Sequence, residues 1–351
     1  MLSISFVTLL FFFLLLGLVI KDKEISIMER RNLTTKEDLK KDTFENLESY
    51  LTDQFPFRNG FLSLYPLIDR VLFGNKENND IYIKEGYLIE KNYPLNEKSI
   101  EEFSKKINSI VNKYMKNNHI LYAIIPDKSY FLEKERYQKL DFSKMFDKLE
   151  KEITIPNLNI TSFLKLEDFF KTDIHLKQEA YEKIVKELAK YFDFSLLDIY
   201  WNKQSYNSFY GTTYAKNSLL SKKEELNYYT NNWTENAKVW HLEYGEKKVY
   251  DIEKLGNIDS YSLFLSGPSS LIEITNSQAT TNKELLLFRD SFGSSLAPLL
   301  LPYYHKITLI DLRYINMDQV LKYVTFDKQD VLFLYSTLLV NQSNLLKENI
   351  Q

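Results

Sequence analysis

The chain has no cysteine, only four histidines and only nine glycines among its 351 residues. Without cysteine it has no disulfide, no thiolate metal site and no cysteine nucleophile. Neither sign of charge dominates, since 45 basic and 48 acidic residues leave a net charge of −3. That balance lacks the basic footprint of a nucleic-acid-binding protein, so no nucleic acid is expected as a partner. No internal repeat, low-complexity linker or cluster at metal-ligand spacing occurs, and neither metal nor other cofactor is expected.

What is present points to a folded protein with a substantial core. Hydrophobic residues make up 44% of the chain and aromatics 15%, and the length suffices for one large domain or two ordinary ones. The run from Leu2 to Ile20 carries no charge and lacks the basic start and small-residue cleavage site of a secretory signal. Residues 1–20 are therefore expected to be an uncleaved membrane anchor. Lys21, Lys23, Arg30 and Arg31 follow it, and by the positive-inside rule they favour a cytoplasmic domain. Long domains cross largely regardless of such charges, so orientation has to come from function.

Beyond the anchor, residues 21–75 read as a helical membrane-proximal segment, with apolar spacing at Phe44, Leu47 and Leu51 and a second helix from Phe61 to Phe73. Residues 76–345 read as one α/β domain. Ile81–Ile83 and Tyr87–Ile89 flank a turn at Gly86, the pattern of a hairpin. Helical stripes cover Glu97–Met115, Ser143–Ile153 and Gln178–Phe192, with an extended run expected near Ile153–Ile160. Apolar strand-like runs occupy His119–Pro126, Leu285–Phe288, Ile307–Ile310 and Val331–Tyr335, with helices at Ser294–Leu301 and Met317–Val324. Such alternation predicts a mostly parallel sheet with helices on both faces. An insertion rich in Tyr and Trp, near 201–262, interrupts it; its aromatics, Tyr210 among them, are candidates for a sugar-binding platform or a small β-rich core.

Chemistry is expected where strands end in helices. Leu285–Phe288 runs into Arg289, Asp290, Ser291, Phe292 and Gly293. This places Ser291 at the C-terminal edge of a sheet, either as a nucleophile or as the cap of the next helix. A nucleophilic serine needs a base and a group to orient that base. His119 and His305 adjoin buried strands and read as structural, and His241 lies inside the aromatic insertion. His175 is the candidate base, because Asp173 stands two residues before it and extended chain would turn both side chains the same way. Lys128 and the Arg313–Tyr314 pair follow strands that end at the same edge, making them candidates for substrate binding.

The combination of Asp173-x-His175 before a helix and Asp290-Ser291-Phe292 after a strand resembles the DHHW family of SGNH-hydrolase-like proteins. That family is related to the periplasmic alginate O-acetylation proteins. Asp53-Gln-Phe-Pro-Phe-Arg58, Phe209-Tyr-Gly-Thr-Thr-Tyr214 and Leu299-Leu-Leu-Pro-Tyr-Tyr304 through Ile310-Asp-Leu-Arg-Tyr314 are similar to further blocks of the family, in order. Ile174 and Leu176 replace two residues of its Asp-His-His-Trp motif, and Arg289 stands where related hydrolases have glycine. The resemblance implies an SGNH-like three-layer αβα domain with a Ser291–His175–Asp173 triad. It implies an O-acetyltransferase that works beside a membrane-bound O-acyltransferase and places acetyl groups on a cell-surface or exported polysaccharide. It further implies attachment to the cell membrane with the domain on the extracytoplasmic side. A carbohydrate acetyl esterase of the same fold, or a non-catalytic polysaccharide-binding component of an export complex, is the alternative.

Overall fold

A computed structural model describes residues 2–26, 29–40, 44–72, 77–132, 138–217 and 222–347. Its centre is a seven-stranded sheet. The strands are β1 (His119–Ile125), β2 (Lys238–His241), β3 (Gly245–Lys247), β4 (Leu271–Thr275), β5 (Glu284–Arg289), β6 (Lys306–Ile310) and β7 (Asp330–Ser336), in the spatial order β3-β2-β4-β6-β5-β7-β1. The contiguous set β6, β5, β7 and β1 is parallel, and β4 joins β6 antiparallel. Because β2 is antiparallel to β4, it runs with the parallel set, and five of the seven strands share one direction. The sheet is therefore mostly parallel, as the strand–helix alternation predicts.

Both faces of the parallel strands are covered, which accounts for their continuous apolar runs. Alternation along β1 sends Leu121, Ala123 and Ile125 to one core and Ile120, Tyr122 and Ile124 to the other. The first core is closed by α6 (Tyr181–Tyr191) and α7 (Gly293–Leu300). The second is closed by α4 (Glu97–Tyr114) and α5 (Phe142–Glu152), whose apolar stripes face inward and whose starts are capped by Asn96 and Asp141. The run expected near Ile153–Ile160 contributes only a bridge between Asn157 and Tyr122.

The aromatic insertion does not build a separate sheet-sized core. It supplies β2 and β3 to the main sheet and a two-stranded hairpin, Asn202–Phe209 with Glu224–Thr230. Many of its rings, including Trp201, Tyr206, Tyr228 and Trp233, pack against the first core instead.

At the N-terminus lie α1 (Leu2–Val19), α2 (Glu45–Asp53) and α3 (Arg58–Leu72), followed by the expected hairpin of Ile81–Lys84 and Tyr87–Glu90. The residues of the expected anchor are helical. Among the described residues, however, no helix is long and apolar enough to cross a membrane, so the span expected over residues 1–20 finds no support in the fold.

Candidate active site

Ser291 stands just past the C-terminal end of β5, between two parallel neighbours, where an open α/β sheet gathers its ligands. The turn is held by Asp290, whose carboxylate accepts from Phe292 N (3.1 Å) and from Ser336 N at the end of β7 (2.8 Å). It passes so close under α7 that a Cβ on Gly293 would lie 2.6 Å from Arg289 Cβ. Glycine is required there by space. The cap reading of Ser291 is not what the structure shows: α7 begins at Gly293 behind Phe292, with no side-chain cap. The Ser291 hydroxyl, partly exposed, meets His175 Nε2 at 2.7 Å.

The loop Phe169–Leu176 delivers the histidine, closed at its base by a bridge between those two residues. Asp173 and His175 come together through a tight turn and not through extended chain. One oxygen of the Asp173 carboxylate accepts from the His175 backbone N at 2.9 Å and from its ring Nδ1, the arrangement of an Asx turn. This leaves Nε2 free to face Ser291. The other carboxylate oxygen accepts from Thr212 N at 2.6 Å. Asp173 is fully buried. Burial alone would raise its carboxyl, but the adjacent His175 and the hydrogen bonds from His175 and Thr212 outweigh it and hold the acid well below its ordinary range.

The support around this loop is dense. Gly211 presses against Asp173 so closely that an added Cβ would lie 2.2 Å from Asp173 Cβ and 2.5 Å from its Cα. Thr172 accepts from Gly211 N with its hydroxyl (3.1 Å), and its own backbone N donates to Glu224 (2.6 Å). Lys128 lies beneath. Its ammonium donates to the carbonyls of Phe170 (3.3 Å), Lys171 (3.3 Å) and Asp173 (2.9 Å). Burial pushes it down to about 8 against the opposing pull of Asp173 and Glu224. Lys128 therefore braces the Asp173 loop, and its buried ammonium does not open onto a ligand.

Of the other expected site residues, Tyr210 adjoins the Gly211–Thr212 contact and stacks on Tyr214 at 4.4 Å. Arg313 is engaged by Asp311 through Nε (2.9 Å) and Nη2 (2.6 Å) and lies over the ring of the exposed Tyr314. Both follow β6, whose end is level with that of β5, so they share the edge of Ser291 without touching the His175 pair. His119 and His305 lie at the opposite, N-terminal ends of β1 and β6. His241 is fully buried at the end of β2 and held down to about 4 by burial, with Arg289 adding to the effect.

Residue reading missed Tyr261. Its ring lies parallel to the His175 imidazole at 3.8 Å and 8°, and its hydroxyl bonds Ser295 Oγ (2.7 Å) in α7. Gln178, at the start of the helical segment after His175, reaches Ser295 O (3.1 Å) and takes Tyr229 N (3.1 Å). Both tie the histidine side of the site to the serine side. Their one trace in the sequence is position: Gln178 opens an amphipathic helix, and Tyr261 closes the aromatic insertion.

No family model matches the chain, and no curated protein matches it. Solved structures do. A DHHW family protein from Eubacterium siraeum DSM 15702 superposes with a TM-score of 0.62 at 15% identity, covering 77% of this chain and 97% of that one. PatB1 of Bacillus cereus, solved with a sulfonyl adduct, gives a TM-score of 0.61 at 19% identity, over 77% of this chain and 98% of that one. At such identities the likeness is one of fold, and by fold this chain is related to the DHHW family protein and to PatB1.

Proposed function

We propose that the protein is an O-acetyltransferase that carries acetyl groups on Ser291 and delivers them to hydroxyls of a cell-surface or exported polysaccharide. The observation that carries this reading is the continuous contact from the Asp173 carboxylate through His175 to Ser291 Oγ, closed at 2.7 Å. Buried Asp173 fixes the imidazole so that Nε2 faces the hydroxyl, the geometry of a base poised on a nucleophile.

In the first half-reaction Ser291 Oγ attacks the acetyl carbonyl and its proton passes to His175 Nε2. The resulting oxyanion falls beside the Ser291 backbone N–H and the N-terminus of α7, where the helix dipole favours negative charge. Collapse expels the donor's leaving group, which takes the proton from Nε2. In the second half-reaction a sugar hydroxyl gives its proton to Nε2 and attacks the acetyl-serine. Release of the ester returns the proton to Ser291 Oγ. Every step uses groups of this chain, the donor and the acceptor. PatB1, which shares the fold, has been solved with a sulfonyl adduct. Sulfonyl reagents capture activated nucleophiles, which makes the same class a probe for Ser291.

The reading places the α/β domain on the extracytoplasmic side of the cell membrane, held there by α1, with a membrane-bound O-acyltransferase supplying acetyl. The test is intact-protein mass spectrometry after incubation with a chromogenic acetyl ester. An acetyl adduct on the parent protein, absent from Ser291→Ala and His175→Ala, is expected. Oligosaccharides added next should take the acetyl in competition with water. Release to water alone makes the protein an esterase, and a folded parent with neither adduct nor turnover overturns the catalytic reading.

A further inference from the structure

Amphipathic helices normally turn their apolar stripe inward. Near the N-terminus this protein also turns apolar stripes outward. Along α2, Leu47 and Leu51 continue the spacing set by Phe44 and carried on by Phe55. Along α3, Phe61, Leu64, Ile68 and Leu72 follow at three- and four-residue steps from Phe57. All nine are between 38% and 78% exposed. Among the described residues, the buried ones on these helices are Tyr50 and Asp53 of α2 and Ser63 of α3.

The inward faces are held firmly. Asp53 accepts from Arg31 Nη1 (2.9 Å) and Thr34 N (2.9 Å), while Gln54 donates to the carbonyls of Lys23 (2.9 Å) and Thr34 (2.8 Å). Arg58 pairs with Glu29, and Leu62 packs on the hairpin core of Ile81 and Leu88. Rotating either helix to hide its stripe would break these contacts and bury charge. The outward stripe is thus fixed by the fold.

The stripe is also continuous with α1. Phe13 meets Phe55 at 5.2 Å and Phe61 at 5.9 Å, those two rings meet each other at 5.7 Å, and Gly17 lies against Pro56. From Leu2 to Val19, α1 carries no charged residue; its large apolar side chains, such as Phe6, Leu9, Phe12 and Leu15, are exposed, and the Thr8 hydroxyl donates back to Ile4 O (2.9 Å). A protein partner would be expected to meet a bounded patch with a polar rim. An uncharged helix with exposed phenylalanines and leucines, joined to two outward apolar stripes, matches hydrocarbon instead.

We infer that α2 and α3 form a membrane contact, seated in the acyl–headgroup boundary of a lipid bilayer beside α1, an inference that rests on the membrane placement proposed above. The surface acts in addition to any hold that α1 provides, and it sets the height and tilt of the α/β domain over the bilayer. It does not depend on the chemistry at Ser291.

The absence of cysteine makes the test direct. Leu64→Cys, Leu72→Cys and, as a distant exposed control, Asn257→Cys are each labelled with an environment-sensitive fluorophore. The full chain is reconstituted in vesicles of phosphatidylcholine and phosphatidylglycerol. At positions 64 and 72 the emission should shift to shorter wavelength, with quenching by doxyl-labelled lipid and not by aqueous iodide; position 257 should show the opposite. Iodide quenching at 64 and 72 like that of the control overturns the inference. Protection from both quenchers overturns it too, because it would place a protein, such as a second copy of this chain, on the stripe. All three positions are exposed, so labelling leaves the core intact.

Discussion

Replacing Gly211 by alanine perturbs the proposed site through a single methyl group that touches neither Ser291 nor a substrate. The added Cβ would lie 2.2 Å from Asp173 Cβ, 2.5 Å from Asp173 Cα and 2.5 Å from its Oδ2. Ordinary contact starts near 3.4 Å, so the two segments must separate by about 1.2 Å. Two of the clashing atoms are the Cα and Cβ of a buried residue, and no flexible side-chain end is available to swing away. Separation would stretch the 2.6 Å bond from Thr212 N to Asp173 and shift the carboxylate under His175. Overpacking of this kind costs about 1–3 kcal/mol, or a fall in Tm of roughly 5 °C. A displacement of about 1 Å in a catalytic group lowers rate by about 100-fold. Gly211→Ala should therefore lose far more activity on a chromogenic acetyl ester than its stability loss explains, with the protein still folded at 25 °C. Parent-like kcat and Tm together would refute the placement of Gly211 against Asp173.

Other expectations follow from single contacts. Tyr261→Leu removes the stack on His175; kcat should fall roughly 2- to 10-fold, the worth of one aromatic pair, with KM little changed and Tyr261→Phe restoring most of the loss. Asp173→Asn, which leaves the imidazole in the wrong tautomer, should lower kcat by about 10⁴-fold while chemical denaturation still reports a folded protein. Lys128 has a folded-state pKa of about 8, below its ordinary value. Between pH 8 and about 10.5 the unfolded chain therefore holds a proton that the folded chain has released, and this group makes stability rise with pH across that window. Asp173, Glu224, Glu90 and Asp127 are the charges that oppose the shift. Urea unfolding at pH 7 and pH 10 should show the parent gaining on Lys128→Met as pH rises, by a few kcal/mol at most. An unchanged difference would remove the proton release from Lys128.

Much of this was legible in the residues. The strands ending at Ile125, Arg289 and Ile310 are apolar runs because both faces are buried, and α4, α5 and α6 carry clean stripes because one face is. The partners Asp173, His175 and Ser291 could be named from residue type and element boundaries. What could not be read was tertiary. Lys128 looks from the sequence like any polar residue after a strand, and only the fold turns it under the Phe170–Asp173 carbonyls. Tyr261 is one of 25 tyrosines, and nothing local separates it from those that merely fill the core. The closeness of Asp173 and His175 was expected from extended chain, whereas an Asx turn produces it. A two-residue spacing serves either geometry, so the pairing could be anticipated for the wrong local reason.

The departures from the family pattern can now be judged by where they lie. Leu176 is fully buried and bridges Phe169 at the base of the loop, so it serves the core. Ile174 packs on the edge of that core between the two residues that face each other. Neither stands between His175 and Ser291, and the contact closes without them. Arg289 is the more consequential replacement. Its side chain lies under Gly293, nearly wholly buried, with Nη1 3.4 Å from both Asp290 O and Asp311. A cation behind the serine turn is disfavoured beside the positive end of α7, yet Asp311 stands beside it and Asp290 carries the turn itself. Negative charge on both sides offsets the arginine, and the Asp290 carboxylate keeps its hydrogen bond from Ser336 N of β7. In place of the glycine expected there stands an arginine paired with Asp311, while the position of Ser291 is set by Asp290 and Gly293. Arg289→Gly should consequently leave acetyl-ester turnover nearly intact and act mainly on stability, because it strands the buried Asp311 with Arg313 alone. Loss of turnover in a variant that unfolds like the parent would instead assign Arg289 to the reaction.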